Sequence, residues 1–285
     1  MNLSVVVITF NEEANIGRTL ASVLPLVDGG RGEIIVVDSG STDRTVEIAK
    51  SFGAKVFVEE WKGFAAQKNS AIDKATGDWI LSLDADEELD VQMQQALHDL
   101  LQAMDRLSAL GKEPGDRSHA NAGSPLDSGT DFNGLTIPRK NEFLGRWMKH
   151  GGFWPDPKLR LFRLGTGRFE NRAVHEDVHV EGYTRQIQSG SLLHHSYPTL
   201  SDYIEHMNRY SSLGAEMVVA KGKVGFSVVN IVLRPLATFV YNYFFRLGFL
   251  DGHEGLLLHL NHAVYVSWKY AKAWELSRSN KTMSS

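Results

Sequence analysis

The chain contains no cysteine. That removes disulfide frameworks, thiolate zinc sites and cysteine nucleophiles in one step, and it suits a reducing compartment. Positive charge is not in excess either: 30 Lys and Arg stand against 34 Asp and Glu, a formal net charge of -4. A protein that grips nucleic acid by neutralising phosphates needs the opposite balance, so nucleic acid is excluded as a partner. Long apolar runs are missing as well. No segment reaches the roughly 20 uninterrupted apolar residues that span a bilayer. The nearest, Phe226 to Leu250, is interrupted by Arg234-Pro235, Asn242 and Arg246. The start, Met1-Asn2-Leu3-Ser4, lacks the basic region, apolar stretch and cleavage site of a secretory signal, so a cytoplasmic location is expected.

What is present reads as a folded α/β protein. The 285 residues, 42% hydrophobic and 22% charged, suffice for one large domain with an extension. Leu3 to Thr9 is a short continuous apolar run, as in a strand buried on both faces. Ile16, Leu20, Val23 and Leu24 follow at helical spacing within Asn11 to Val27. Glu33 to Val37, Lys55 to Val58 and Trp79 to Leu83 read as further strands, separated by helices around Val46 to Ala49 and over Phe64 to Ala75. Short alternating units of this kind imply a mostly parallel, Rossmann-like sheet flanked by helices. A helix is expected over Val91 to Leu110 and another from about Leu200 to Ala220. Between them, residues 111–131 are rich in Gly, Pro, Ser, Asn and Asp, which reads as a flexible surface insertion.

Ligands of such sheets sit beyond the carboxyl ends of the strands. Three polar clusters fall there: Thr9-Phe10-Asn11-Glu12, Asp38-Ser39-Gly40-Ser41 and Asp84-Ala85-Asp86. Two carboxylates flanking a small residue can approach one divalent cation, Mg²⁺ or Mn²⁺, that takes substrate phosphates as further ligands. The same triplet, followed by Glu87 and Glu88, also reads as an acidic helix start. Asp38 can accept a hydrogen bond from a base or ribose, or simply form a turn and cap the next helix. Asn11 has the same double reading, and Lys68 can meet a diphosphate or stand in solvent.

The order of Thr9-Phe10-Asn11-Glu12-Glu13, Asp38-Ser39-Gly40-Ser41-Thr42-Asp43, Gly63-Phe64-Ala65-Ala66-Gln67-Lys68-Asn69 and Asp84-Ala85-Asp86 resembles glycosyltransferase family 2, with its GT-A fold. Val174-His175-Glu176, His194 and Leu247-Gly248-Phe249-Leu250-Asp251-Gly252 are similar to the lipopolysaccharide-core β-1,4-glucosyltransferase group of that family. The resemblance implies nucleotide-sugar contacts from Thr9, Asn11, Glu12, Asp38, Lys68, Asp84 and Ala85. It implies a metal on Asp86, with His194 as a further ligand beside the competing His195. Glu176 is the implied catalytic base, since inverting transfer needs a carboxylate to take the proton of the acceptor hydroxyl; a surface carboxylate near His175 is the plainer reading. The implied reaction is metal-dependent transfer of a hexose, glucose by resemblance, from a UDP-sugar to a lipopolysaccharide-core or related glycolipid acceptor.

From Phe226 to Trp274 the chain is dense in Phe, Tyr, Leu and Val, with Lys and Arg interspersed. Interfacial segments that lie on anionic lipid have this composition, as do helices that pack on a domain or build an oligomer. The expected division is a glycosyltransferase domain over 1–220 and a helical membrane-associating region over 221–285, peripheral on the inner face of a bacterial inner membrane. Rival readings are a polyprenyl-phosphate glycosyltransferase, a nucleotidyltransferase and an inactive membrane-bound scaffold. A nucleotidyltransferase usually carries a Gly-rich basic phosphate loop, whereas the loop after the first strand is acidic.

Overall fold

The computed structural model describes residues 1–109, 132–170, 177–222 and 224–282. The insertion at 111–131 lies outside the described residues. The amino-terminal elements are β1 (Leu3–Thr9), α1 (Ile16–Val27), β2 (Gly32–Asp38), α2 (Thr45–Ser51), β3 (Lys55–Val58), α3 (Phe64–Ile72), β4 (Trp79–Asp84), β5 (Glu87–Leu89) and α4 (Val91–Ala109). There follow β6 (Gly134–Phe143), β7 (Arg146–Trp147), β8 (Asp156–Arg163), β9 (Gly167–Phe169), β10 (Val178–Val180), β11 (Thr184–Gln186) and β12 (Leu192–Tyr197). The chain ends with α5 (Leu200–Ala220), α6 (Arg234–Val240) and α7 (Gly252–Thr282).

Strand order is β3-β2-β1-β4-β8-β6-β12-β5, with β7 and β11 paired to β6, and β9 and β10 form a separate ribbon. The pairs β3-β2, β2-β1 and β1-β4 are parallel, as the alternating sequence pattern requires. Beyond β4 the sheet turns mixed, since β8 pairs antiparallel to β4 and β12 antiparallel to β5. All seven residues of β1 are buried because both faces are covered. Leu3, Val5 and Val7 pack with Ile16, Leu20 and Val23 of α1 and Met93 and Leu97 of α4. Val6 and Ile8 pack on the other face with Ala65, Ala71 and Ile72 of α3.

Two local expectations change. The first helix begins at Ile16 rather than Asn11, because Asn11 adopts a left-handed backbone with φ 53°, which a short amide side chain tolerates. Glu87 and Glu88 do not start a helix; they form β5, whose pairing sets Glu87 opposite His194. The helix-starting role falls to Asp90, whose carboxylate accepts from the Met93 N–H at 2.8 Å.

The described residues divide into two compact units, one of 1–109, 132–139, 157–170 and 177–194, the other of 140–156, 195–222 and 224–282. The sequence places a boundary near 220, but α5 belongs to the second unit, where it packs along α7. A capping box opens α5: Thr199 Oγ1 accepts from Asp202 N at 3.2 Å, and Asp202 Oδ2 accepts from Thr199 N at 3.1 Å. The core of this unit gathers Phe143, Met148, Tyr203 and Leu258. Buried Asp251, within the tail segment singled out above, accepts from the N–H groups of Lys149 and His150 at 3.1 and 2.8 Å, which makes it an internal strut. The stretch around α6 opens and closes in π turns, Val229–Leu233 and Tyr241–Phe245. Among the described residues no helix is long and apolar enough to cross a membrane.

Candidate active site

Strand register brings the three polar clusters together. Thr9 lies beside Asp38, and Ile8 beside Asp84, so the clusters share one sheet edge. The chain leaves β1 toward β2 on one side and fills β4 in on the other, a switch point at which open α/β sheets hold ligands. Hydrogen bonds fix the loops there. Asn11 Oδ1 accepts from Thr42 N at 2.9 Å, and the N–H groups of Asn11 and Glu12 donate to Ser41 Oγ and Thr45 Oγ1 at 2.8 and 2.7 Å. Asp38 Oδ2 accepts from the Gly40 and Ser41 N–H groups at 2.9 and 2.8 Å. Asp38 thus does form the turn, and Asn11 braces two loops rather than capping a helix. Ala85 is buried, and its carbonyl accepts from Thr19 Oγ1 of α1 at 2.6 Å. Phe10 is exposed beside these loops.

Two polar groups at this edge, the buried Thr9 Oγ1 and Ser39 Oγ, have no hydrogen-bond partner among the described residues. The same holds for both amide atoms of Gln67, which is fully buried on α3. An unmade buried hydrogen bond costs about 1–3 kcal/mol, so groups of this kind suit completion by a ligand or by water.

Asp84 is held by two cations. Lys68 Nζ lies 2.7 Å from Oδ1 and Arg160 donates to Oδ2 at 2.8 Å. Burial on its own pushes the Asp84 carboxyl up, yet Lys68 and Arg160 hold it well below the usual carboxylate range. Lys68 is therefore a buried, paired lysine, not a solvated one. Arg160 also donates to Glu87 Oε1 at 2.6 Å, and Arg139 donates to the same oxygen at 3.1 Å. Glu87 Oε2 accepts from the Asp84 N–H at 3.1 Å and so closes the cluster around the loop.

Asp86 faces a different partner. His194 Nε2 lies 3.2 Å from its Oδ2, delivered by the β5-β12 pairing. Burial raises the Asp86 carboxyl and the adjacent imidazole more than offsets it, leaving it lowered. His195 points to the opposite face of β12, where its Nδ1 lies 2.8 Å from Glu142, so of the two histidines it is His194 that stands beside Asp86. Glu12 is affected by the same centre: burial, then the Asp86 charge, push its carboxyl up against a hydrogen bond from Asn15. No group of three or more metal-ligating side chains occurs among the described residues. One carboxylate and one imidazole fit a divalent cation that completes its shell with phosphate oxygens and water. Glu176 lies outside the described residues.

Sequence reasoning missed Arg160, Arg139, Glu87 and Gln67. Arg160 had a usable signal, an arginine immediately preceding two apolar residues in a strand. Gln67 had none, because an amide in a polar helix segment is ordinarily solvated.

A family model for glycosyl transferase family 2 matches residues 4–117. A lipopolysaccharide core biosynthesis glycosyltransferase of Rhizobium meliloti is 28% identical, over 96% of this chain and 92% of the relative. An uncharacterised glycosyltransferase of Rickettsia bellii is 30% identical, over 96% of this chain and 87% of its own length. Among solved structures, residues 1–349 of S. aureus TarS share 16% identity at a TM-score of 0.42, over 98% of this chain and 92% of that one.

Proposed function

This chain belongs to glycosyltransferase family 2, and on that footing we propose that it performs an inverting, metal-dependent transfer of a hexose from a UDP-sugar to a lipopolysaccharide-core or related glycolipid acceptor. The observation that carries the donor site is the set of unpartnered buried groups on Thr9 and Ser39 at the sheet edge and on Gln67 of α3, the neighbour of Lys68 in sequence. A nucleoside offers the donors and acceptors those groups lack, and Phe10 offers a flat apolar face beside them. Thr9, Asn11, Glu12, Asp38 and Ala85 shape that pocket. Lys68 and Asp84 lie on the side of the ribose and diphosphate.

Asp86 and His194 would hold Mg²⁺ or Mn²⁺, which when bound offsets the charge that develops on the departing diphosphate. In the transfer itself an acceptor hydroxyl oxygen bonds to the anomeric carbon from the face opposite the nucleotide. The bond from that carbon to the diphosphate oxygen breaks, and UDP leaves with the electron pair. Glu176 takes the hydroxyl proton. The resemblance to a lipopolysaccharide core biosynthesis glycosyltransferase supports a sugar of that class as acceptor. Residues 221–285 rest on the cytoplasmic face of a bacterial inner membrane. Exposed Phe226, Val229, Leu233, Leu236, Phe244 and Phe245 support this reading, as does a run from Met217 to Leu250 with four basic and no acidic residues.

Calorimetry with UDP, UDP-glucose, UDP-galactose and UDP-N-acetylglucosamine, with and without Mn²⁺, tests the donor site. Wild type is expected to bind in a metal-dependent way, and Asp86→Ala to bind at least about tenfold more weakly, the loss of one good charge-assisted contact. Glu176→Gln is expected to bind the donor normally and transfer nothing. Absence of uridine-nucleotide binding under every metal condition overturns the reading.

A further inference from the structure

The apolar face around α6 adjoins a cavity of about 450 Å³ within the second unit, lined by Val218, Lys221, Phe226, Ser227, Asn230 and Tyr270 among others. Among the described residues its wall presents an ammonium, two hydroxyls and an amide, and no carboxylate. More positive charge stands around Tyr270. The Arg234 guanidinium donates to its hydroxyl and stacks 5.0 Å from its ring, and Lys269 Nζ lies 5.0 Å from the same ring. The Lys221 side chain is exposed. Gly222 and Gly225 border the space with nothing within 4 Å of a Cβ built on either. Phe226 belongs both to the cavity wall and to the apolar face, which continues through exposed Val229, Val232, Leu233 and Leu236.

A pocket with cationic and hydroxyl donors at one end and an exposed apolar ridge at the other matches an amphiphile with an anionic head. We propose that this cavity seats the phosphate-bearing headgroup of an anionic membrane lipid, with its acyl chains along Phe226, Val229 and Leu233. The inference rests on the membrane association proposed above and sharpens it. Diffuse electrostatic adsorption is indifferent to the space beside Gly225, whereas a seated headgroup needs it empty. Charge complementarity selects the occupant: Lys221 is the charged residue among the described lining residues, none of which is acidic, and the chain from Met217 to Leu250 has no acidic residue either.

Flotation with vesicles of phosphatidylcholine alone, or with added phosphatidylglycerol, separates the possibilities for the full chain. Gly225→Leu fills the space without strain, since its φ is not in the left-handed region. It adds apolar surface, so simple adsorption predicts equal or tighter binding. The seated headgroup predicts about tenfold weaker binding to phosphatidylglycerol vesicles for Gly225→Leu, and a comparable loss for Lys221→Ala. Wild-type binding that is equal on both vesicle types, or a Gly225→Leu variant that binds as well as wild type, overturns the pocket and leaves the membrane association standing. No binding of wild type to either vesicle removes the membrane association, and the pocket with it.

Discussion

At the scale of single residues, the sheet edge where the three polar clusters meet is organised by buried charge more than by exposed charge. Arg160 joins Asp84 and Glu87, and Glu87 is fully buried. Removing one partner of such a cluster leaves uncompensated charge, so Arg160→Met is expected to lose about 3–5 kcal/mol in urea unfolding. A second change, Glu87→Met in the same chain, is expected to recover much of that loss; a double variant less stable than the single one contradicts the account. Glu33 supplies a pH test away from the site. Its carboxylate accepts from Ser4 Oγ, Thr76 N and Thr76 Oγ1 and pairs with Lys55 at 2.7 Å. Burial opposes its ionisation, but these partners bring it down to about 2 from an ordinary 4.5. A lowered carboxyl stabilises the fold fully above the ordinary value and loses that contribution as pH falls toward 2. Glu33→Gln is expected to cost roughly 1–2 kcal/mol at neutral pH after discounting for solvent screening. The difference between the variant and wild type narrows in acid, and a gap independent of pH argues against the carboxylate as its source.

At the scale of elements, one pairing brings two distant residues together and one cap fixes where a helix starts. The short β5 was legible only as acidic sequence. Its antiparallel pairing with β12 carries His194 to Asp86, a contact between residues 108 positions apart that no local pattern announces. By contrast, the start of α5 was readable, because Thr199 precedes an apolar-periodic run and Asp202 stands three residues later. Thr199→Ala is expected to cost about 1 kcal/mol in chemical denaturation. An unchanged midpoint means that the packing of α5 on α7, and not its cap, sets where the helix begins.

At the scale of the whole chain, apolar surface is distributed unevenly. The amino-terminal unit buries many of its Val, Ile and Leu side chains in two cores, whereas the stretch from Phe226 to Leu250 leaves many large apolar side chains in contact with solvent. Basic residues without acidic ones in that stretch give the surface one sign of charge. Vesicle binding is therefore expected to weaken, but not vanish, as salt rises from about 0.1 to about 0.5 M, because the Debye length shrinks while apolar burial does not. Complete release at high salt assigns the attachment to charge alone.

The first half of the fold was determined by sequence in a readable way. Buried parallel strands demand continuous apolar runs, and their carboxyl ends demand polar turns, so Thr9, Asp38 and Asp84 could be aligned before any coordinates. The family was legible for the same reason, since its motifs occupy those turns. Tertiary structure alone decided which charges meet. Whether Lys68 is solvated or buried against Asp84 depends on how α3 packs on the sheet, while which histidine reaches Asp86 and that Arg160 arrives from β8 depend on strands joined across the mixed half. The membership of α5 in the second unit was equally hidden. A periodic pattern states that a helix has an apolar face, but the surface that covers this face is chosen by packing between distant segments.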